Sequence, residues 1–269
     1  IFAEMGFWGL FFSRLHYLDH AQRIIRKEME LNWQGSQDLG TSSNLLTGVM
    51  FDGYGPPPGF CFDAYCEDDL MMDDKRLEGY NVDEKVKAFT AFAKLQHIAY
   101  KTNHILIPMG SDFQFTNAQM WFENMDKLIK YVNQKGEINV LYSTPGCYLK
   151  ALRESGQSWP AKTDDFFPYA SDPHSYWTGF YTSRPAFKGY IRKTNAYMQM
   201  CKQLDANAQL GPEDLSNMDN LIQTMGLVQH HDAVSGTARQ HVTDDYEKRL
   251  HKGLMECQQV VNDAFTKMT

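Results

Sequence analysis

Apolar residues recur along this chain in two rhythms, short continuous or alternating runs and longer helical repeats. The run Gly6-Phe7-Trp8-Gly9-Leu10-Phe11-Phe12-Ser13 reads as a buried strand, followed by a charged helical stretch from about His20 to Asn32. Trp33 and then Leu45 to Phe51 suggest further short strands. Gly53-Tyr54-Gly55-Pro56-Pro57-Pro58-Gly59 is too rich in Gly and Pro for regular structure. Its prolines make it a stiff loop that would either wall a pocket with Tyr54 and Phe60 or pack over the core. From Asp83 the period turns helical, with Val82, Val86, Phe89 and Ala93 on one side and Phe92, Leu95 and Ala99 beside them. A strand over His104 to Met109 follows and ends in Gly110-Ser111-Asp112. The next helix carries Trp121, Met125, Leu128 and Val132, and the next strand is Ile138 to Tyr142. Strands alternating with amphipathic helices predict an α/β architecture with a largely parallel sheet. In such sheets chemistry collects beyond the carboxyl ends of the strands, where Asp112 and Ser143 stand.

After Ser143 the character changes. A short helix around Cys147 leads into an aromatic loop from Asp164 to Gly179, and beyond Ser183-Arg184-Pro185 only helices are predicted. Ser183 is the expected N-cap, with Pro185 in the first turn. The first helix is expected to bury Phe187, Ile191, Tyr197, Cys201 and Leu204. The second opens near Pro212-Glu213-Asp214 and runs up to Gln229-His230-His231-Asp232; the third carries Tyr246, Leu250, Leu254, Cys257 and Val261. Three antiparallel helices of this length make a small bundle. The expected boundary lies near residue 160, dividing an α/β part, 1–160, from a helical part, 161–269.

Composition narrows the function classes. With 43% hydrophobic and 13% aromatic residues the chain has ample material for a core. Its formal charge of -7 argues against a nucleic-acid partner, which needs clustered Lys and Arg. No apolar run approaches the length of a membrane span. The abrupt opening on Ile1-Phe2-Ala3-Glu4 suggests a piece of a longer polypeptide. Among the five cysteines, Cys61 and Cys66 flank a short loop, Cys201 and Cys257 fall on separate helical patterns, and Cys147 is left over. Two disulfides with one odd thiol and five free thiols are both open on spacing alone.

Candidate chemistry gathers at Gln229 through Thr237. Two histidines and an aspartate stand where a helix ends, which suits an ordinary helix terminus and equally a ligand site. Glycoside cleavage requires two carboxylates about the sugar, and metal-assisted versions add a zinc held by His and Asp. Asp112 with His231 and Asp232 offers such a set. Six ordered motifs point the same way: Met5 to Arg14; Met109-Gly110-Ser111-Asp112-Phe113-Gln114; Asn139 to Pro145; Asp164-Asp165-Phe166-Phe167-Pro168-Tyr169; Trp177-Thr178-Gly179 with Thr182-Ser183-Arg184-Pro185; and Gln229 to Thr237. Together they resemble glycoside hydrolase family 38, the zinc-dependent α-mannosidases, over nearly the whole chain.

The resemblance implies the carboxyl-terminal part of a barrel-like α/β domain followed by a three-helix bundle. It implies His231 as a zinc ligand, Asp232 as the carboxylate that holds sugar hydroxyls, Asp112 as the acid/base, and Trp177 and Tyr54 as walls of the sugar pocket. It also implies disulfides Cys61–Cys66 and Cys201–Cys257, as in lysosomal members of the family. Cys147 would pair with a cysteine upstream of the chain. The partners expected are mannose-containing glycans and the upstream and downstream segments of one precursor, in a lysosomal or secreted setting. The departures matter as much. The family's nucleophile, also a zinc ligand, is an aspartate where this chain has Trp8, and an indole can only donate a hydrogen bond. Two further zinc ligands belong to an amino-terminal motif outside this chain, so His231 alone remains of four. Leu15-His16-Tyr17 also replaces the acidic residue usual before the tyrosine. The expectation is an α-mannosidase-like protein impaired as a catalyst. The alternatives are an active retaining α-mannosidase completed by an amino-terminal segment, and a non-catalytic glycan-binding or structural protein.

Overall fold

The computed structural model describes residues 1–211 and 218–269, which divide into two compact units, Ile1–Tyr176 and Trp177–Thr269. The first unit is a mixed α/β arrangement around a small sheet. Its strands are β1 (Gly9–Phe12), β2 (Glu30–Gln34), β3 (Asn44–Val49) and β4 (Ala161–Lys162), in the order β1-β3-β2-β4. β1 runs parallel to β3, β2 antiparallel to β3, and β4 parallel to β2. The sheet is therefore mixed, with two of its three pairings parallel and the central one antiparallel.

Helix α1 (Tyr17–Arg26) ends on Lys27 in the left-handed conformation, and Glu30 already belongs to β2. The charged stretch expected to be helical as far as Asn32 thus hides a strand. Met29 and Leu31, both fully buried, point to one face of the sheet, where they join Leu15, Val49, Ala99 and Tyr100. Alternation puts Leu46 and Phe11 on the other face, under α4 (Pro145–Glu154). Thr144 caps α4, accepting from the Cys147 N–H, and Pro145 opens it. The helix lies so close to β1 that a Cβ on Gly9 would meet Leu149 Cδ2 at 2.5 Å.

α2 (Val82–His97) and α3 (Ala118–Lys135) pack as their patterns predict. Val82, Val86, Phe89 and Ala93 are buried on α2, and Trp121, Met125, Leu128 and Val132 on α3. Together with Phe60, Phe62 and Met71 most of these form a second core, so the Gly/Pro loop leads directly into packed aromatics. The segments 104–109 and 138–142 are irregular and pair with no strand among the described residues, contrary to expectation. Side chains serve their backbone instead: Gln96 donates to the Leu106 carbonyl, and Asn133 exchanges two bonds with Val140. A cavity of about 780 Å³ lies among these segments, α2 and α3, lined by Ile107, Met125, Val140 and Leu141 with Cys147 at one side.

The second unit is helical: α5 (Pro185–Ala208), α6 (Asp219–Leu227) and α7 (Gln240–Met268) pack around one core. The expected opening of the middle helix at Pro212-Glu213-Asp214 lies outside the described residues. On α5 the buried face is Phe187, Ile191, Thr194, Met198 and Cys201, whereas Tyr197 is exposed, which corrects its expected burial. Spacings of four, three, four and three keep that face straight, and Tyr197 falls one residue off it. Ser183 does not cap α5. Arg184 holds the cap position at φ 49°, and the Ser183 hydroxyl is spent on the Gly236 carbonyl. Cys201–Cys257 ties α5 to α7, and Cys61–Cys66 closes a short loop in the first unit. No described helix is long and apolar enough to cross a membrane.

Candidate functional site

In the second unit α6 ends at Leu227, and the chain turns through His230-His231-Asp232 before α7 begins at Gln240. The Ala233 N–H bonds the His230 carbonyl, and the Ala238 N–H returns to the Asp232 carbonyl, so the loop closes on itself. The amino-terminal end of α5 braces it from below. Arg184 Nη1 donates to the carbonyls of Gly236 and Ala238, each at 2.7 Å, and Lys188 Nζ donates to Ser183 and Ser235. Burial and the neighbouring Arg184 guanidinium hold the Lys188 ammonium below its ordinary range. Gly236, at φ 73°, is required, because a Cβ there would lie 2.5 Å from the Ser183 carbonyl oxygen.

This frame aims Asp232. Thr237 Oγ1 donates to Oδ1 at 2.8 Å, while Oδ2 lies 3.5 Å from His230 Nε2 and 3.5 Å from His231 Nε2. The Thr237 hydrogen bond, followed by the His231 and His230 imidazoles, keeps the carboxyl below the usual carboxylate range. Ser235 Oγ donates to the His231 carbonyl. Among the described residues, His230, His231 and Asp232 are the one group of three such side chains with ligand atoms all within 4.8 Å of one another. Ligands on a tetrahedral zinc stand about 3.3 Å apart, so this nitrogen and oxygen donor set suits such an ion in kind, and its two His–Asp separations of 3.5 Å lie near that spacing. His230, which sequence reasoning did not single out as a ligand, enters through adjacency alone.

Trp177, the first residue of the second unit, is exposed. Asp112 and Tyr54 belong to the first unit and are exposed as well. The Arg14 guanidinium sits 5.9 Å from the Tyr54 ring. Asp112 opens a tight loop in which Phe113 and Phe115 both take positive φ. That loop is held by a residue the sequence did not flag. The buried Asp63 carboxylate accepts from Trp121 Nε1 at 2.6 Å and from the Phe115 N–H at 2.9 Å. These bonds, the Trp121 one foremost, pull its carboxyl below the ordinary range. Gln114 reaches back to Cys61 Sγ at 3.2 Å. No local pattern joins position 63 to 115 and 121, so only the fold reveals this clamp.

Trp8 immediately precedes β1 and is 65% exposed. Arg153, on α4, holds it twice: Nη2 donates to the Trp8 carbonyl at 3.0 Å, and the guanidinium stands 5.4 Å from the indole centroid. An indole offers an N–H and a π face and no anionic oxygen. Cys147, near the start of α4, is an exposed free thiol, drawn below its ordinary range by its bond to Thr144.

Residues 1–172 match the model of the glycosyl hydrolases family 38 N-terminal domain, and residues 175–268 match the α-mannosidase middle domain. Over its full length the chain is 45% identical to lysosomal α-mannosidase of Cavia porcellus and 44% identical to that of Homo sapiens, covering 28% and 27% of those proteins. An α-mannosidase of Arabidopsis thaliana is 47% identical over 98% of the chain and 26% of its own length. The chain thus spans little more than a quarter of the length of these relatives. A crystal structure of an α-mannosidase from Enterococcus faecalis V583 superposes with a TM-score of 0.61 at 19% identity, over 89% of this chain and 25% of that one, and supports the fold. With a family model covering residues 1–172, more than half of the chain, the chain belongs to glycosyl hydrolase family 38.

Proposed function

We propose that this chain is part of an α-mannosidase-like protein that binds mannose-type glycans and is impaired as a hydrolase at residue 8. The carrying observation is Trp8, an indole held by Arg153 at the position that matches the family's attacking aspartate. Retaining cleavage needs a second carboxylate opposite the acid/base, and an indole neither attacks an anomeric carbon nor binds a cation through a lone pair. Asp112 is the acid/base of this reading, Asp232 holds sugar hydroxyls, and Trp177 and Tyr54 present aromatic faces to the sugar. His231 is the residue that would hold zinc, with His230 Nε2 and Asp232 Oδ2 in reach of the same ion. Zinc, when bound, supplies a Lewis acid for the sugar hydroxyls.

On the same reading the first unit is the carboxyl-terminal part of a barrel-like α/β domain, and α5, α6 and α7 are its three-helix bundle. Cys147 takes a partner cysteine outside the chain. A lysosomal or secreted setting is supported by the two disulfides and by the lysosomal relatives.

Loss of a nucleophile costs on the order of 6 kcal/mol in transition-state stabilisation, about four decades in rate. The test is hydrolysis of a chromogenic α-mannoside by the full-length protein and its Trp8→Asp variant. The expected result is little turnover for the natural protein and a gain of several decades for the variant. Robust turnover by the natural protein would refute the impairment.

A further inference from the structure

Strand alternation places Glu30 on the opposite face of β2 from Met29 and Leu31, in the cross-strand row Phe11–Gly48–Glu30 beneath α4. The residue is 2% exposed, a carboxyl set beside the apolar cluster of Leu46, Leu149 and Leu152. Its Oε1 is hydrogen-bonded to Tyr148 Oη on α4, and the same Oη lies 3.3 Å from the His104 carbonyl oxygen. A phenol has one proton to share between two oxygens, and a carboxylate has none to give. A proton on Glu30 allows both contacts to be full hydrogen bonds at once. The carboxylic O–H then donates to Tyr148 Oη, and the Tyr148 O–H donates to His104. Thr102 Oγ1 also donates to that carbonyl, so the oxygen is not orphaned when Tyr148 turns away.

No neighbour replaces the proton. The ionisable groups facing Glu30 are Tyr148 from α4, and Tyr100 and Lys101 from the segment after α2. Tyr100 Oη is spent on the Val49 carbonyl at 2.8 Å, and Lys101 Nζ on the Ser158 carbonyl at 3.0 Å. β1 and β3 contribute Phe11 and Gly48 to the row and no charge. The His104 residue itself is exposed, and only its carbonyl takes part.

We propose that Glu30 is a proton-binding latch that clamps β2, α4 and the chain at His104 together while protonated and loosens that joint when the proton leaves. Burial, opposed by the Tyr148 bond and the Lys101 charge, pushes the carboxyl from 4.5 up to about 7. Burial and the Glu30 charge raise both phenols well above their ordinary range, so they remain proton donors throughout. The sign follows. A folded-state value above the unfolded one means the native chain binds the proton more tightly, so the stabilisation is complete below about 4.5 and is lost as the pH rises through about 7. Arg153 rides on the same helix as Tyr148, so the latch also steadies the seat of Trp8. The proposal stands whatever the catalytic fate of residue 8.

Hydrogen exchange at β2 and α4 amides, corrected for intrinsic pH dependence, tests it on the whole 269-residue chain. Between pH 5 and pH 8 the natural chain should lose protection on the order of a hundredfold more than Glu30→Gln, whose amide stays neutral. Equal pH profiles for the two would overturn the proposal. If Glu30→Gln does not fold, infrared spectroscopy of the natural chain gives the answer. At pH 6 a protonated carboxylic-acid carbonyl band should persist and shift in Tyr148→Phe; its absence would equally overturn the latch.

Discussion

The two units of this chain are held together in different ways. The second has one contiguous core, running from Phe187 on α5 through Leu221 on α6 to Val260 on α7, and a disulfide across it. The first divides its apolar residues among three smaller cores and links its layers through buried polar groups, Glu30 to Tyr148 and Asp63 to Trp121. Helices satisfy their own backbone, so the second unit uses its helical faces for packing and spends polar side chains such as Arg184 and Lys188 on the loop between α6 and α7. The first has irregular segments without strand neighbours among the described residues, and side chains such as Gln96 and Asn133 serve their backbone groups. A unit of the second kind should resist polar substitution away from its core and suffer from changes of volume or crosslink. One of the first kind should be sensitive to single polar residues and to pH.

The disulfides probe this difference most strongly. Cys201–Cys257 closes a span of 56 residues and Cys61–Cys66 a span of 5, so chain entropy alone assigns about 4 kcal/mol to the first and about 2 kcal/mol to the second. Replacing Cys201 and Cys257 together by Ala should lower the denaturant midpoint of the helical unit far more than the Cys61 and Cys66 pair lowers that of the α/β unit. Equal losses would break the contrast. Next in size is Gly253 on α7, where a Cβ would stand 2.8 Å from Leu221 Cα on α6. Backbone cannot give way as a side chain can, and Gly253→Val should destabilise by roughly 1–3 kcal/mol in thermal unfolding. The smallest effect belongs to the site loop. Thr237→Val removes the bond to Asp232 Oδ1, so the carboxyl should titrate nearer its ordinary value by NMR, with stability changed by less than about 1 kcal/mol. A large loss of stability there would mean that the loop, and not the helical core, supports the unit.

Legibility in the sequence follows the same division. The faces of α2 and α3 are readable because helical contacts repeat every three or four residues, and Val82 to Ala93 and Trp121 to Val132 are buried as that period requires. The segments 104–109 and 138–142 look equally like strands, yet pairing depends on a distant neighbour that no local pattern encodes. Glu30 is the sharpest case. In Arg26-Lys27-Glu28-Met29-Glu30-Leu31 it reads as one more charge on a helix, and the left-handed turn at Lys27 makes it a buried strand residue. At the site, His231 and Asp232 are adjacent in sequence and so necessarily close, and Thr237 is near enough to reach them. Asp63 and Arg153 act across 52 and 145 residues of separation, and nothing short of the fold connects them to Phe115 and Trp8.

By itself, then, the amino-acid sequence determined the family, the buried faces of α2 and α3, and the two cysteine pairs that the resemblance implied. These rest on residue identity and on spacings within a few turns. Only the tertiary structure decided which strands pair, where the carboxyl of Glu30 lies, and how Arg153 seats Trp8. Each of those depends on groups far apart in the chain brought together out of water, where a single proton or hydrogen bond carries an energy it lacks in solution.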